Sequence, residues 1–171
     1  MPTENSPLPA CAVRRVDYTL PYDRAALTRL LNGYALDPMG GSEAIAPEAL
    51  ARLCDALASK PTAFSFIAWS GDEALGLVNC FEGFSTFKAL PLINIHDIAV
   101  RADSRGRGVG QALLQAVQEE AAKRGACKIT LEVLTGNTVA IKSYAHFGFA
   151  DYQLGLATGQ AVFMQKWLAA Q

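Results

Sequence analysis

Apolar positions follow two rhythms along the chain, a helical one in four stretches and an extended one in six others, and their order organises the molecule. After ten proline-rich and polar residues that read as a loose leader, residues 13–20 have the alternation of a first strand. Asp23 is placed to cap a helix over residues 24–32, with Leu27, Leu30 and Leu31 as its apolar stripe and Gly33 as its stop. Asp37, Pro38, Met39, Gly40 and Gly41 cannot form regular structure, and Pro47 suits the first turn of a second helix carrying Leu50, Leu53, Cys54 and Leu57. Residues 64–69 and 74–81 read as an antiparallel hairpin turning at Gly71 and Asp72, followed by a loop over 84–90 and a strand over 92–100. Val109, Leu113, Ala116 and Val117 then keep helical spacing, with Glu120 on the wetter edge, until Gly125. Residues 129–134 make a strand, 138–147 a short helix ending at Gly148, and 161–166 a last strand.

This order predicts an α/β fold: a mixed, mostly antiparallel sheet flanked by helices, with a parallel crossover unit over residues 92–134. At 171 residues and 51% hydrophobic, the chain fits a single domain, residues 1–171, large enough to bury roughly 70% of its unfolded surface without disulfides or metal. A net charge of −1 argues against a nucleic-acid or polybasic membrane surface, so any anion site must be local. No apolar run approaches the ~18 residues of a spanning helix, and the expectation is a cytoplasmic protein. Cys11, Cys54, Cys80 and Cys127 are scattered, with only His96 and His146 beside them, so packing thiols and no metal are expected.

The candidate anion site is the run Arg105, Gly106, Arg107, Gly108, Val109, Gly110, between an apolar strand and an amphipathic helix. Glycines let backbone approach a bulky anion, and the amides at the helix start favour phosphate, with Arg105 and Arg107 adding charge. By spacing alone the run also reads as an ordinary connector with solvated arginines. It is not a Walker A loop, since no Lys followed by Ser or Thr comes after the last glycine, and Gln111 and Leu113 stand where GxGxxG would need its final glycine.

Three linked features occur in order: a strand ending Ile98, Ala99, Val100; the RGRGVG run; and Asn137, Ala140, Tyr144, Gly148 and Phe149. Together they resemble the GCN5-related N-acetyltransferase (GNAT) superfamily over residues 74–149, and more loosely over the whole chain. The resemblance implies a sheet with a central, splayed parallel strand pair. It also implies acetyl coenzyme A (acetyl-CoA) as cosubstrate, with pyrophosphate on Arg105, Gly106, Arg107, Gly108, Val109 and Gly110. Pantetheine would pair with the backbone of Ile98, Ala99 and Val100, and Asn137, Ala140 and Tyr144 would line the cofactor's far side. It further implies a bulge near Asp97 and a phenol, Tyr144, beside the departing thiolate. Read as residues, Asn137 is equally a helix cap and Tyr144 a packed ring.

His96 and Asp97 interrupt an apolar strand, and alternation puts His96 on the face that carries Ile98 and Val100. Some relatives have Glu at the place of His96, which makes this imidazole a candidate base for the amine, with a buried, satisfied histidine as the alternative. Asp97, Glu82 and water remain other candidates for the base. The resemblance implies that the loop of Asp37, Met39, Gly40 and Gly41 covers the acceptor site, and Glu82, Phe84 and Phe87 are candidates to supply a carboxylate and aromatic walls for a cationic amine; loop aromatics also simply cover a sheet. The expected activity is direct acetyl transfer to a primary amine of a small molecule or peptide, with a homodimer possible. A noncatalytic acyl-CoA-binding module and a small interaction domain are the alternatives.

Overall fold

Gly71, at φ +57°, allows the tight turn that joins β2 (Ala63–Ser70) to β3 (Glu73–Ser85), and the sheet is built outward from this antiparallel hairpin. β1 (Ala12–Arg15) adds antiparallel to β2, β4 (Leu90–Val100) antiparallel to β3, and β5 (Ile129–Leu131) parallel to β4, giving the order β1-β2-β3-β4-β5. The computed structural model describes residues 11–152, 159 and 161–168, so the leader expected over the first ten residues lies outside the described residues. The described residues fall into two units that divide after Leu131. The first holds the sheet with helices α1 (Pro21–Leu36), α2 (Pro47–Ala58) and α3 (Val109–Lys123), and the second holds α4 (Thr138–Phe147). The architecture is therefore the expected mixed α/β one, with the parallel pair at the β5 edge of the sheet.

Strand alternation sorts the sheet into two faces. Ala63, Ile67, Trp69 and Leu77 join Leu27, Leu30 and Leu31 of α1 and Cys54 and Leu57 of α2 in one core. The opposite face receives α3. There a side chain at Gly76 would come within 2.7 Å of the Ala99 carbonyl oxygen and 3.3 Å of Leu113, and the Arg124 guanidinium lies 4.5 Å above the Phe64 ring.

Several boundaries differ from the sequence expectation. β1 ends at Arg15, because Asp17 accepts hydrogen bonds from the Thr19 backbone N–H and hydroxyl and turns the chain. α1 begins at Pro21 rather than after Asp23, whose carboxylate instead accepts from the Asp17 N–H. It also runs through Gly33 to Leu36 and stops only because Pro38 forces Asp37 into an extended conformation. Pro38–Gly40 then forms one 3-10 turn. Glu120 is not on a wet edge: its side chain is 14% exposed and pairs with both Arg15 and Arg124. Residues 161–166 form no strand. Val162, Phe163 and Met164 are exposed with no ladder partner among the described residues, and a strand exists only by pairing. Cys54 and Cys80 are buried thiols, Cys11 is half-buried and Cys127 exposed.

Candidate active site

β4 ends at Val100, and the chain is brought round by one 3-10 turn, Ala102–Ser104, braced by Arg101 on Glu73 and Asp103. Gly106 and Gly108 then adopt φ of +72° and +83°, a left-handed backbone that a side chain would strain, and Gly108 is the N-cap of α3. A Cβ at either position would meet nothing within 4 Å, so the backbone there faces open space rather than packed protein. The first turn of α3 carries no acidic residue, and its cap has no side chain to satisfy the leading amides. These features suit an anion. Arg105 is turned back from that space: its Nε donates to the Val100 carbonyl at 3.1 Å and its Nη2 to Asp37 at 2.7 Å. Arg105 first, and then the Met39 N–H, hold the Asp37 carboxyl below the usual carboxylate range. Two residues read separately from the sequence, one for cofactor and one for acceptor, are thus joined by an ion pair.

The register of β4 against β3 slips at one place. Ile95 pairs with Cys80 and Asp97 with Asn79, so His96 is the extra residue of a β-bulge. Parallel pairing with β5 covers only Ile93 to Ile95, and stops where the bulge begins. The bulge overturns the alternation argument for His96. Ile98 and Val100 pair with Val78 and Gly76 on the α3 face, whereas the His96 ring meets Phe81 edge-on at 5.6 Å and Asp97 bonds Asn79, both on the α1 face. His96 is exposed rather than buried.

Sequence reasoning missed a line of polar side chains on that face. Tyr18 lies 2.7 Å from Ser65, Ser65 donates to Asn79 at 2.6 Å, and the Asn79 amide donates to Asp97 at 3.0 Å. Ser65 and Asn79 are only 1% and 3% exposed, so their polar groups must be satisfied within the protein. The signal was present: each is a lone polar residue at an inward position of an apolar strand. Tyr34 of α1 was missed as well. Burial chiefly, and then the charges of Asp97 and Asp37, raise its phenol pKa.

The other expected acceptor residues do not gather there. Glu82 pairs with Ile93 on the α3 face, where Arg124 holds it at 2.8 Å. It is therefore not the free carboxylate expected beside a cationic amine. Phe84 and Phe87 are 62% and 94% exposed, and Met39 is exposed in the 3-10 turn. In the second unit, Asn137 caps α4 by accepting from the Ala140 N–H at 3.2 Å, and Gly148 closes the helix at φ +107°. The half-buried Tyr144 ring packs edge-on against Phe149 at 6.0 Å. Among the described residues no group of three or more His, Cys, Asp or Glu is placed to hold a metal, and no helix is long and apolar enough to cross a membrane.

Residues 27–149 match the family model described as "Acetyltransferase (GNAT) family". An uncharacterized N-acetyltransferase of Methanocaldococcus jannaschii is 33% identical over 90 residues, 52% of this chain and 40% of that protein. Streptothricin acetyltransferase of Streptomyces lavendulae is 40% identical over 58 residues, 34% of this chain and 31% of that protein. The matched region thus spans less than half the length of either relative. A solved structure titled as a transcriptional regulator from Bacillus halodurans C-125 superposes with a TM-score of 0.75 at 19% identity, covering 91% of this chain and 99% of that one. At that identity the likeness speaks for the fold alone.

Proposed function

Because the chain belongs to the acetyltransferase (GNAT) family, we propose that it transfers the acetyl group of acetyl-CoA directly to a primary amine of a small molecule or peptide. The observation that carries this reading is the left-handed glycine turn opening α3 beside a strand whose parallel pairing stops at Ile95. Backbone amides of Arg105, Gly106, Arg107, Gly108, Val109 and Gly110 take the pyrophosphate, for which the open space before Gly106 and Gly108 leaves room. The backbone of Ile98, Ala99 and Val100, past the end of the β5 ladder, pairs with the amides of pantetheine. The name of one relative, streptothricin acetyltransferase, supports a small-molecule acceptor.

In the reaction an ammonium first loses a proton, its nitrogen attacks the thioester carbonyl, and the carbon–sulfur bond breaks to release the thiolate of CoA. His96, exposed on the α1 face, accepts the amine proton directly or through water. Asn137, Ala140 and Tyr144 are assigned to the cofactor on the family motif, with the Tyr144 hydroxyl giving the thiolate its proton. The capping bond of Asn137 is compatible with that assignment.

Calorimetry with CoA and thiol release with a panel of amines test the reading together. CoA binding with amine-dependent thiol release is the expected result. CoA binding without release by any amine would leave an acyl-CoA-binding module, and no CoA binding would remove the reading.

A further inference from the structure

We propose that Asp97 is the carboxylate on which the acceptor's primary ammonium docks, and that Asn79 and Ser65 are positioning residues that hold it in place. The proposal rests on the reading of the protein as an amine acetyltransferase. Hydrogen-bond direction carries the argument. Ser65 gives its one hydroxyl hydrogen to the Asn79 carbonyl oxygen, so its own oxygen must accept from the Tyr18 phenol. Asn79 then gives an amide hydrogen to Asp97 Oδ2. Every donor in the chain points toward Asp97, and such a chain ends properly only on a group that accepts without donating, a carboxylate. The first two acceptors are almost wholly buried, so the chain is set by the core rather than by solvent.

The half-buried carboxylates of Asp37, Glu82 and Glu120 each have an arginine partner, whereas no ion pair among the described residues includes Asp97. No hydrogen bond among those residues occupies its Oδ1. A half-buried anion, oriented by a donor on one oxygen and with no hydrogen bond from the described residues on the other, is a site for a cationic donor. The bulge at His96 turns Asp97 onto the α1 face, which also carries the Phe81 and His96 rings packed edge-on against each other and the Tyr34 phenol, whose pKa the Asp97 charge helps to raise.

The test uses methylammonium chloride, the smallest primary ammonium, titrated into the free and the CoA-saturated protein, with sodium chloride at equal ionic strength as control. The readouts are the NMR resonances of the Asp97 carboxyl carbon and the Asn79 side-chain amide. A saturable shift with methylammonium and none with sodium is expected. It should vanish in Asp97→Asn, and its dissociation constant should rise roughly 5- to 10-fold in Asn79→Ala and by a smaller factor in Ser65→Ala, the losses typical of charge-assisted and relayed hydrogen bonds. Wild-type methylammonium affinity in folded Asn79→Ala or Ser65→Ala overturns the positioning role. Should Asn79→Ala not fold, Ser65→Ala and Tyr18→Phe read the same chain. A shift that survives Asp97→Asn, or no saturable shift in the wild type, overturns the docking site. Calorimetry of CoA on the same samples separates this from the parent reading, since lost CoA binding would refute the transferase while the titration of the free protein still reports on Asp97.

Discussion

Asp37→Asn should tighten the binding of CoA, although it lies outside the glycine turn. In the free protein Arg105 is held by Asp37, and it must let go of that carboxylate to reach a phosphate. Asparagine keeps an oxygen to accept from the Met39 N–H, so the 3-10 turn survives while the ionic competitor disappears. The pair is partly solvated, with Arg105 53% and Asp37 21% exposed, which places its strength in the range of about 0.2–1 kcal/mol found for surface ion pairs. At about 1.4 kcal/mol per tenfold, the gain in CoA affinity is roughly 1.5- to 5-fold. Removing any nearby negative charge also favours a polyanion. Asp103→Asn, the same charge change at an acid that pairs with Arg101, measures that general effect. Calorimetry at low salt should therefore give Asp37→Asn a gain above that of Asp103→Asn, and Arg105→Gln should abolish the difference in a double-mutant cycle. Equal affinities for the two asparagine variants, or weaker binding by folded Asp37→Asn, would refute the idea that Arg105 is shared.

The remaining predictions concern the turn, the phenol and acid stability. Gly108→Val forces a β-branched residue to φ +83°, so it should cost about 1–2 kcal/mol in urea unfolding and weaken CoA at least roughly tenfold by calorimetry. Tyr144→Phe removes a hydroxyl while keeping the ring on Phe149, so single-turnover acetyl transfer should slow by roughly 100- to 10,000-fold with CoA affinity unchanged; a fall in stability alone would assign the residue to packing. Burial raises the pKa of Glu120, but bonds and charge from Arg124 and Arg15 outweigh it and leave the carboxyl below its ordinary 4.5. A depressed folded pKa gives stability that is fully present above the unfolded value and lost as pH falls through the folded one. The stability difference between wild type and Glu120→Gln, measured by urea unfolding from pH 7 to 3, should accordingly shrink below about pH 4.5.

Elements bounded by stereochemical necessity were legible from the sequence. α4 runs over the expected residues because Asn137 caps it by a side-chain bond and Gly148 closes it in a left-handed conformation. Pro47 opens α2 for the same kind of reason, having no N–H to lose at a helix start. Gly33 failed as a stop because an exposed glycine in a helix costs only about 1 kcal/mol, while the real terminator, Pro38, acts through the residue before it. Glu120 was misplaced because helical spacing sees only its own helix, whereas Arg15 comes from a strand more than a hundred positions away.

The candidate site divides along the same line. The glycine turn could be read locally, since a residue type and a backbone conformation there require each other. The α1-face side chains could not, because parity along a strand predicts orientation only while the ladder is regular. One inserted residue at His96 reverses the parity of everything beyond it, taking Asp97 away from Ile95 and setting it opposite Asn79. Without the bulge, Asp97 would follow Ile95 to the α3 face, and His96 rather than a carboxylate would stand opposite Asn79 at the end of the Tyr18–Ser65–Asn79 chain. A buried serine and asparagine aligned across two strands are thus the complement of an irregularity in the third. Together they turn a local break in pairing into one face that carries a candidate base and an oriented carboxylate.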